Sequence, residues 1–469
     1  MNLKALIKKW INWLTGKDSS RKFALIVFAW TLMCGLLIQK VALPFIFPQM
    51  HAGMGLLKGT DGVKFHRIML ELSQVIQQGG WNAWQLHPGG QAVAGIGAVF
   101  YTLIAPEPWV LLPWNALLHG LAAFFMVELG KLVFKDCKLA LASALPLAFY
   151  PSAFTWTAQM HNENYTVLGS VMVLYGAVMS LHPEGKQFSV KRVSSLAGMA
   201  LGLFMIFILR EWMFQALNAM VIMSLLLITV IILISNIIGR KNWGQTSGNP
   251  TFTLLTIILL SALQIVFSRI EFSAESEFLL AEGEKSEVVI KDKPSTPQRL
   301  RKTDLDWQPT TGIPEFVDEK MREMALKRAN QLFKFPSGNT NFDEAVSLNS
   351  TSAILGYAPR AAMIGLLSPF PDLWFSSSEK ATSGLTRAVS GVEMVLAYAL
   401  LPGMVLAGFR YRRESGFWVT VLICMGMMTI LAIGMPNLGT LYRFRYPFFS
   451  VVVGIGAAGW LCLIAKKNT

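Results

Sequence analysis

The sequence predicts an all-α polytopic membrane protein with about ten transmembrane helices, and three observations support this fold class. Hydrophobic residues make up 53% of the 469 residues and charged residues only 15%, against about 25% charged in an average soluble domain. Several apolar runs reach the ~20 residues that a helix needs to cross a bilayer. The lysines and arginines cluster in the short loops between these runs, which assigns those loops to the cytoplasm.

Ten apolar segments are predicted to span the membrane, with both termini cytoplasmic. They are Ala24–Phe47, Trp109–Phe134, Leu139–Thr157, Tyr165–Leu181, Ser194–Leu209, Trp212–Ser235, Thr251–Phe267, Ala388–Phe409, Phe417–Met435 and Phe448–Ala465. The predicted division is a cytoplasmic amphipathic segment (1–22), an N-terminal transmembrane module (23–269) with an outer loop at 48–107, an outer loop with interfacial helices (270–387) and C-terminal spans (388–469). No internal repeat indicates an inverted-repeat transporter.

The first outer loop contains a predicted amphipathic helix that begins at Gly59-Thr60-Asp61-Gly62. Apolar residues recur at helical spacing with polar residues between them, and Gly79-Gly80 closes the pattern. They are Phe65, Ile68, Met69, Leu72, Val75 and Ile76. A second apolar piece, 92–105, is too short to span, so we expect a juxtamembrane helix. Both helices are expected to lie in the membrane interface.

The net charge of +13 does not indicate nucleic-acid binding, because the basic residues follow the loop pattern of a membrane protein and favour anionic lipid headgroups. The four cysteines lie in or beside apolar runs, without the spacing of a disulfide framework or a zinc site. No GxSxG, HExxH or Walker motif is present, so ATP-driven transport by this chain alone is not expected.

The candidate functional residues are charged residues at the predicted outer ends of spans. Ionisable residues at membrane depth are costly, and so they are functional hypotheses by default. These residues are Asp61, His161, Glu163, Arg210, Glu211, Arg443 and Arg445. Together they predict one outward-facing polar cavity.

Each acidic candidate also has a structural alternative. Asp61, with Thr60, is equally compatible with an N-cap that accepts backbone N–H groups. Glu163 is compatible with a solvated helix start, and with His161 it offers two possible ligands for a divalent cation such as Mg²⁺ or Mn²⁺. Arg210 and Glu211 are compatible with a pair that snorkels to the interface.

The stretch Arg443-Phe444-Arg445-Tyr446-Pro447 places two arginines on the outer side, against the orientation rule. The planar guanidinium suits phosphate or pyrophosphate, and the alternative is an interfacial Arg/Tyr belt that contacts lipid headgroups. His87 and Arg360 are further candidates on the same predicted face, and Tyr446 joins the substrate-binding set.

The order of these features resembles the GT-C superfamily of membrane glycosyltransferases, which includes the oligosaccharyltransferase catalytic subunits, the protein O-mannosyltransferases and the lipid A aminoarabinose transferases. The resemblance rests on the acidic residue Asp61 opening a juxtamembrane helix after the first span, on His161-Asn162-Glu163 as a second outer motif, and on the Arg443–Pro447 stretch heading a late span. The resemblance covers about the first 210 residues best and the tail moderately, and it hardly extends to 270–352. The absence of a WWDxG-like motif disfavours an N-linked oligosaccharyltransferase.

The resemblance implies a GT-C-like bundle that transfers a sugar from a polyprenyl phosphate to a lipid, glycan or protein hydroxyl on the outer face. It implies Asp61 as general base, and Arg443, Arg445 or Arg210, or a metal held by Glu163 and His161, as the group that stabilises the departing phosphate. No nucleotide-sugar site is expected on this face. The alternatives are a polymerase or ligase of lipid-linked oligosaccharides, and a lipid or sugar transporter (flippase).

Overall fold

The computed structural model describes residues 3–182, 189–238, 250–270, 305–334, 340–375 and 381–467, and these residues form helices and connecting segments without any strand. The α-helices are α1 (Leu3–Thr15), α2 (Ser19–Leu37), α3 (Asp61–Gly79), α4 (Ala92–Leu103), α5 (Leu112–Phe134), α6 (Cys137–Phe149), α7 (Pro151–Thr157), α8 (Glu163–Ser180), α9 (Val190–Leu209), α10 (Glu211–Ile237), α11 (Pro250–Phe267), α12 (Glu315–Lys334), α13 (Thr351–Leu367), α14 (Pro371–Trp374), α15 (Ala381–Leu400), α16 (Pro402–Arg410), α17 (Ser415–Gly434) and α18 (Leu438–Lys467). A π-helical segment, Ile38–Ile46, continues α2, and short 3₁₀ turns lie at Pro48–Met50, Trp81–Ala83, Pro88–Gly90 and Pro108–Leu111.

Seven described helical segments are long and apolar enough to cross a membrane, and an eighth is possible if the bent pair α6 and α7 forms one span. The seven are Ser19–Ile46, Pro108–Phe134, Val190–Leu209, Glu211–Ile237, Gly384–Arg410, Ser415–Gly434 and Leu438–Ile464. The protein is therefore an all-helical, multi-pass membrane protein. The predicted count of ten spans is not confirmed.

The difference in count comes from two helices that the sequence pattern located correctly. Helix α11 has a described apolar stretch, Thr251–Phe267, that is shorter than a full span. Helix α8 begins with Glu163-Asn164 and contains several hydroxyl residues, so its composition is less apolar than that of its neighbours, and it is not among the seven. Every residue of α8 is nevertheless buried, which places it inside the bundle.

The amphipathic helix predicted to begin near Asp61 is confirmed. Helix α3 begins at Asp61, and its buried face carries Phe65, Met69, Leu72 and Ile76 at intervals of three or four residues. Each such side chain contributes about 1.5–3 kcal/mol when it leaves water. The helix ends before Gly80, whose φ of +80° suits a residue without Cβ. The apolar piece that follows forms the short helix α4.

The described residues form two compact units. The first contains those of 1–276, 371–424 and 447–469, and the second contains those of 277–370 and 425–446. In the first unit, α8 packs closely against α9 through two glycines: a Cβ on Gly169 would lie 2.6 Å from the carbonyl oxygen of Gly202, and the converse distance is also 2.6 Å. Small residues at such a crossing let two backbones approach, as is common in membrane bundles. The second unit contains α12, α13 and the start of α18.

Candidate functional site

Asp61 is the first residue of α3, and its side chain is exposed. The N-cap position belongs to Thr60, which has extended backbone dihedrals and whose hydroxyl donates to the carbonyl oxygen of Leu57 at 2.9 Å. In the alternative interpretation, the N-cap position is therefore that of Thr60 and not that of Asp61. Asp61 instead lies in the first turn of the helix, at the positive end of the helix dipole.

A buried glutamine, Gln159, joins the segment before α3 to the segment before α8. Its Oε1 accepts from the backbone N–H of Leu57 at 2.9 Å, and its Nε2 donates to the carbonyl oxygen of Gly55 at 3.1 Å. Gly55 has φ of +80°, and a Cβ there would lie 2.6 Å from the Cβ of Gln39, so no larger residue fits. Gln159, which lies two residues after the end of α7, therefore binds both an N–H group and a carbonyl group of the turn before α3.

The start of α3 also lies directly against this second segment. A Cβ on Gly62 would be 3.5 Å from Oε1 of Gln159 and 3.6 Å from the backbone nitrogen of Met160. Asp61 and His161 each lie one residue away from this contact. The fold therefore brings the predicted catalytic acid beside the predicted His161-Asn162-Glu163 motif.

The buried core of the site is an ion pair between Glu163 and Arg210. Nη2 of Arg210 donates to Oε1 of Glu163 at 2.8 Å, and the two side chains are 7% and 1% exposed, respectively. Nδ1 of the buried His161 lies 3.9 Å from Oε2 of the same carboxylate. Glu163 opens α8 as predicted, but it is not solvated.

The suggested pairing of Arg210 with Glu211 is wrong. Arg210 is the residue between α9 and α10, and its guanidinium turns toward Glu163. Glu211 is exposed and accepts from Nε2 of Gln215 at 3.1 Å, one turn along α10. Glu211 is therefore a surface carboxylate at a helix start, where the dipole favours it.

The residues around Glu163 do not fit a divalent cation. Within the described part of the chain, no group of three or more His, Cys, Asp or Glu side chains could hold a metal ion. His161 and Glu163 supply two donors, and a guanidinium already lies 2.8 Å from one carboxylate oxygen, where it would repel a dication. A Mg²⁺ site normally takes several oxygen ligands.

His87 reaches the same region from the loop between α3 and α4. Its Nε2 lies 2.8 Å from the carbonyl oxygen of Ile208, which is two residues before Arg210. This hydrogen bond ties the 3₁₀ turn at Pro88–Gly90 to the end of α9. His87 thus joins Asp61, His161, Glu163 and Arg210 in one part of the first unit.

The histidine of α3, His66, was not among the residues predicted from the sequence. Nδ1 of His66 lies 2.7 Å from the hydroxyl of Tyr101 on α4, and that hydroxyl lies 3.5 Å from the sulfur of Met160. Burial lowers the pKa of His66, because desolvation disfavours the imidazolium. His66 stands among the polar residues of the amphipathic helix. Its neighbours in the sequence give no sign that its side chain is partly buried.

The predicted phosphate ligand Arg445 is engaged within the second unit. It is fully buried, and its guanidinium donates to the carbonyl oxygens of Ile364 (3.4 Å), Gly365 (2.5 Å) and Ser368 at the end of α13. The ring of Tyr442 lies 5.2 Å from its guanidinium carbon. Arg445 therefore satisfies the C-terminal carbonyl groups of a helix.

The other candidates in the second unit have varied surroundings. Arg360 donates from two nitrogens to the carboxylate of Asp343, at 3.2 Å each. Asp343 also accepts from the hydroxyl of Tyr357 at 2.8 Å. Tyr446 is 2% exposed, whereas Arg443 is half-buried. Arg443 and Arg360 are therefore the accessible candidates of this unit, and Arg360 is paired with Asp343.

Comparison with known proteins yields matches among solved structures. No protein-family model matches the chain, and no curated protein matches its sequence. Among solved structures, the crystal structure of ArnT from Cupriavidus metallidurans bound to undecaprenyl phosphate is similar, with 12% sequence identity and a TM-score of 0.36 over 94% of this chain and 79% of that chain. A match of this size leaves the family of the chain open.

Proposed function

We propose that the protein is an inverting glycosyltransferase of the GT-C type, which moves a sugar from a polyprenyl-phosphate donor to an acceptor hydroxyl on the outer face of a bacterial inner membrane. The observation that carries the proposal is the contact of Gly62 with Gln159 and Met160. This contact sets an exposed carboxylate, Asp61, beside a segment that leads to a buried ion pair.

The reaction needs a base and a group that stabilises the leaving phosphate. The Asp61 carboxylate takes the proton of the acceptor hydroxyl while the hydroxyl oxygen attacks the anomeric carbon of the donor sugar. The bond between that carbon and the phosphate oxygen breaks, and the polyprenyl phosphate leaves with the electron pair. Attack from the face opposite the leaving group inverts the anomeric configuration.

Arg210 is the residue that we assign to the phosphate. Arg210 uses one nitrogen for Glu163, and its pairing holds the guanidinium in place for a second anion. His87 and His161 are assigned to the sugar hydroxyl groups, since imidazole both donates and accepts. No step requires a metal ion.

The substitution Asp61→Asn tests the proposal. Loss of the base is expected to lower transfer by about 10²- to 10⁴-fold without changing expression or elution from a sizing column. The matched control is Glu71→Gln on the same helix, which removes a carboxylate away from the helix start and leaves transfer unchanged. The assay separates released polyprenyl monophosphate by thin-layer chromatography. Full transfer by the Asp61→Asn variant would show that Asp61 is not the base.

One observation favours a transporter as the second candidate. Helices α6 and α7 together are long and apolar enough to cross a membrane but are bent by 54°, and broken spans are typical of transporter binding sites. Counterflow of a lipid-linked sugar in proteoliposomes, without any covalent product, would favour this function. Release of a polyprenyl pyrophosphate instead of a monophosphate would favour a polymerase or ligase.

A further inference from the structure

The buried carboxylate of Glu393 lies in α15, within the spanning segment Gly384–Arg410, and none of its surface is exposed. A carboxylate at that depth is costly unless it is hydrogen-bonded. Its Oε1 accepts from the backbone N–H of Ser152 at 2.6 Å, and its Oε2 accepts from the Ser152 hydroxyl. Both oxygens therefore engage the same residue.

Ser152 is the second residue of α7, so Glu393 supplies the cap that this helix lacks in its own sequence. The N-cap position is Tyr150, whose side chain makes no capping hydrogen bond, and Pro151 has no N–H. A free N–H at a buried helix start requires an acceptor, and here the acceptor comes from a helix 241 residues away in sequence.

Helix α7 also leads directly into the segment that contributes to the candidate site. It contains seven residues and ends at Thr157, so it spans about 10 Å at ~1.5 Å per residue. The carbonyl oxygens of Thr157 and Ala158 accept from Asn115 at 2.9 Å and from Gln39 at 2.6 Å. Gln159 follows at once and holds the segment that precedes Asp61.

We propose that Glu393 is a positioning residue for the candidate site: by capping α7 it fixes the direction of that helix, and thereby the placement of 159–163 against the start of α3. The proposal rests on the function assigned above only for its activity readout. The link from Glu393 to the site runs through backbone and buried amides, whose geometry can be measured without substrate.

The test compares Glu393→Leu and Glu393→Gln with a matched control in the same unit. The control is Glu128→Gln, because Glu128 also accepts from a serine hydroxyl, that of Ser20, but lies on α5 with Lys131 and touches neither Ser152 nor α7. The first measurement is hydrogen–deuterium exchange of the amides of 151–162, on the full chain in nanodiscs. The second is kcat and KM for transfer from a polyprenyl-phosphate sugar.

For Glu393→Leu we expect faster exchange in 151–162 and a fall in kcat of about 10²-fold, the cost of misplacing a catalytic group by about 1 Å, with little change in the KM for the donor. Glu393→Gln keeps one acceptor oxygen and is expected to restore activity to within about tenfold of the unmodified protein. Glu128→Gln is expected to leave exchange in 151–162 and kcat unchanged. Ser152→Ala, which removes only the hydroxyl, serves as a milder variant if Glu393→Leu does not fold.

The outcomes separate this proposal from the proposed function. Unchanged exchange in 151–162 for both Glu393→Leu and Ser152→Ala would overturn the positioning role, whatever the activity. Faster exchange with an unchanged kcat would overturn it as well, because the site would then not depend on α7. If the unmodified protein transfers no sugar but exchange in 151–162 responds to Glu393→Leu and not to Glu128→Gln, the positioning role stands and the glycosyltransferase function fails.

Discussion

Removing one partner of the Glu163–Arg210 pair should destabilise the protein more than removing both. The substitution Arg210→Met leaves a carboxylate that is 1% exposed without the guanidinium that lies 2.8 Å away. Two unit charges about 4 Å apart interact by about 4 kcal/mol at an effective dielectric constant of 20. Breaking a buried pair costs about 3–5 kcal/mol, of similar size, because the remaining charge stays desolvated. The substitution Glu163→Gln should lower the free energy of unfolding by a comparable amount.

The double variant Glu163→Gln/Arg210→Met contains neither buried charge, so it should recover most of the loss. The measurement is the free energy of unfolding of all four proteins in detergent micelles, which gives the coupling energy of the pair as a double-mutant cycle. A solvent-exposed ion pair would give a coupling energy of only about 0.2–1 kcal/mol. Single substitutions that cost under about 1 kcal/mol, or a double variant whose cost equals the sum of the two, would refute the buried-pair interpretation.

Three further outcomes are expected. Gly202→Ala should destabilise the protein by about 1–3 kcal/mol, because its Cβ would lie 2.6 Å from the Gly169 carbonyl oxygen, whereas Gly198→Ala on the same helix meets only a methionine methyl at 3.7 Å and should be neutral or slightly stabilising in thermal unfolding. At Asp343, burial by itself raises the pKa, but hydrogen bonds from Arg360 and a tyrosine outweigh it, so the net pKa is lowered. This stabilisation is present above the ordinary pKa of about 3.9 and is lost as the pH falls through the lower folded-state value, so the gap in melting temperature between the unmodified protein and Asp343→Asn should shrink below about pH 4. A chelator should leave the transfer rate unchanged; a loss that Mg²⁺ or Mn²⁺ restores would contradict the proposed metal-free site.

The local features of the site were predictable because their signals are local. Helix α3 was located to within a residue, since its apolar spacing, the acidic residue at its start and Gly80 at its end are all read within twenty residues. The short helix α4 followed from the length of its apolar run and from the charge pattern of the loops. These elements depend on propensity and capping, which act over one or two turns.

The partners of the charged residues were not predictable, because they are distant in sequence. Arg210 stands next to Glu211 but binds Glu163, 47 residues earlier. Arg445 looked like a phosphate ligand and instead caps α13, about 80 residues earlier. A guanidinium suits carbonyl groups, carboxylates and phosphates alike, so its residue type alone cannot select among them.

Neutral amides, rather than charges, hold the segment that joins α7 to α8. Asn115, Gln39 and Gln159 each donate from a side-chain amide to a backbone carbonyl group. The acceptors are Thr157 at the end of α7, Ala158 and Gly55, respectively. An amide costs less to bury than a charge, and irregular backbone inside a membrane protein is tolerated where its polar groups are satisfied by the protein. The buried charge of the candidate site is therefore concentrated in Glu163 and Arg210, while neutral contacts join the segment before α8 to the segment before α3, as the proposed catalysis requires.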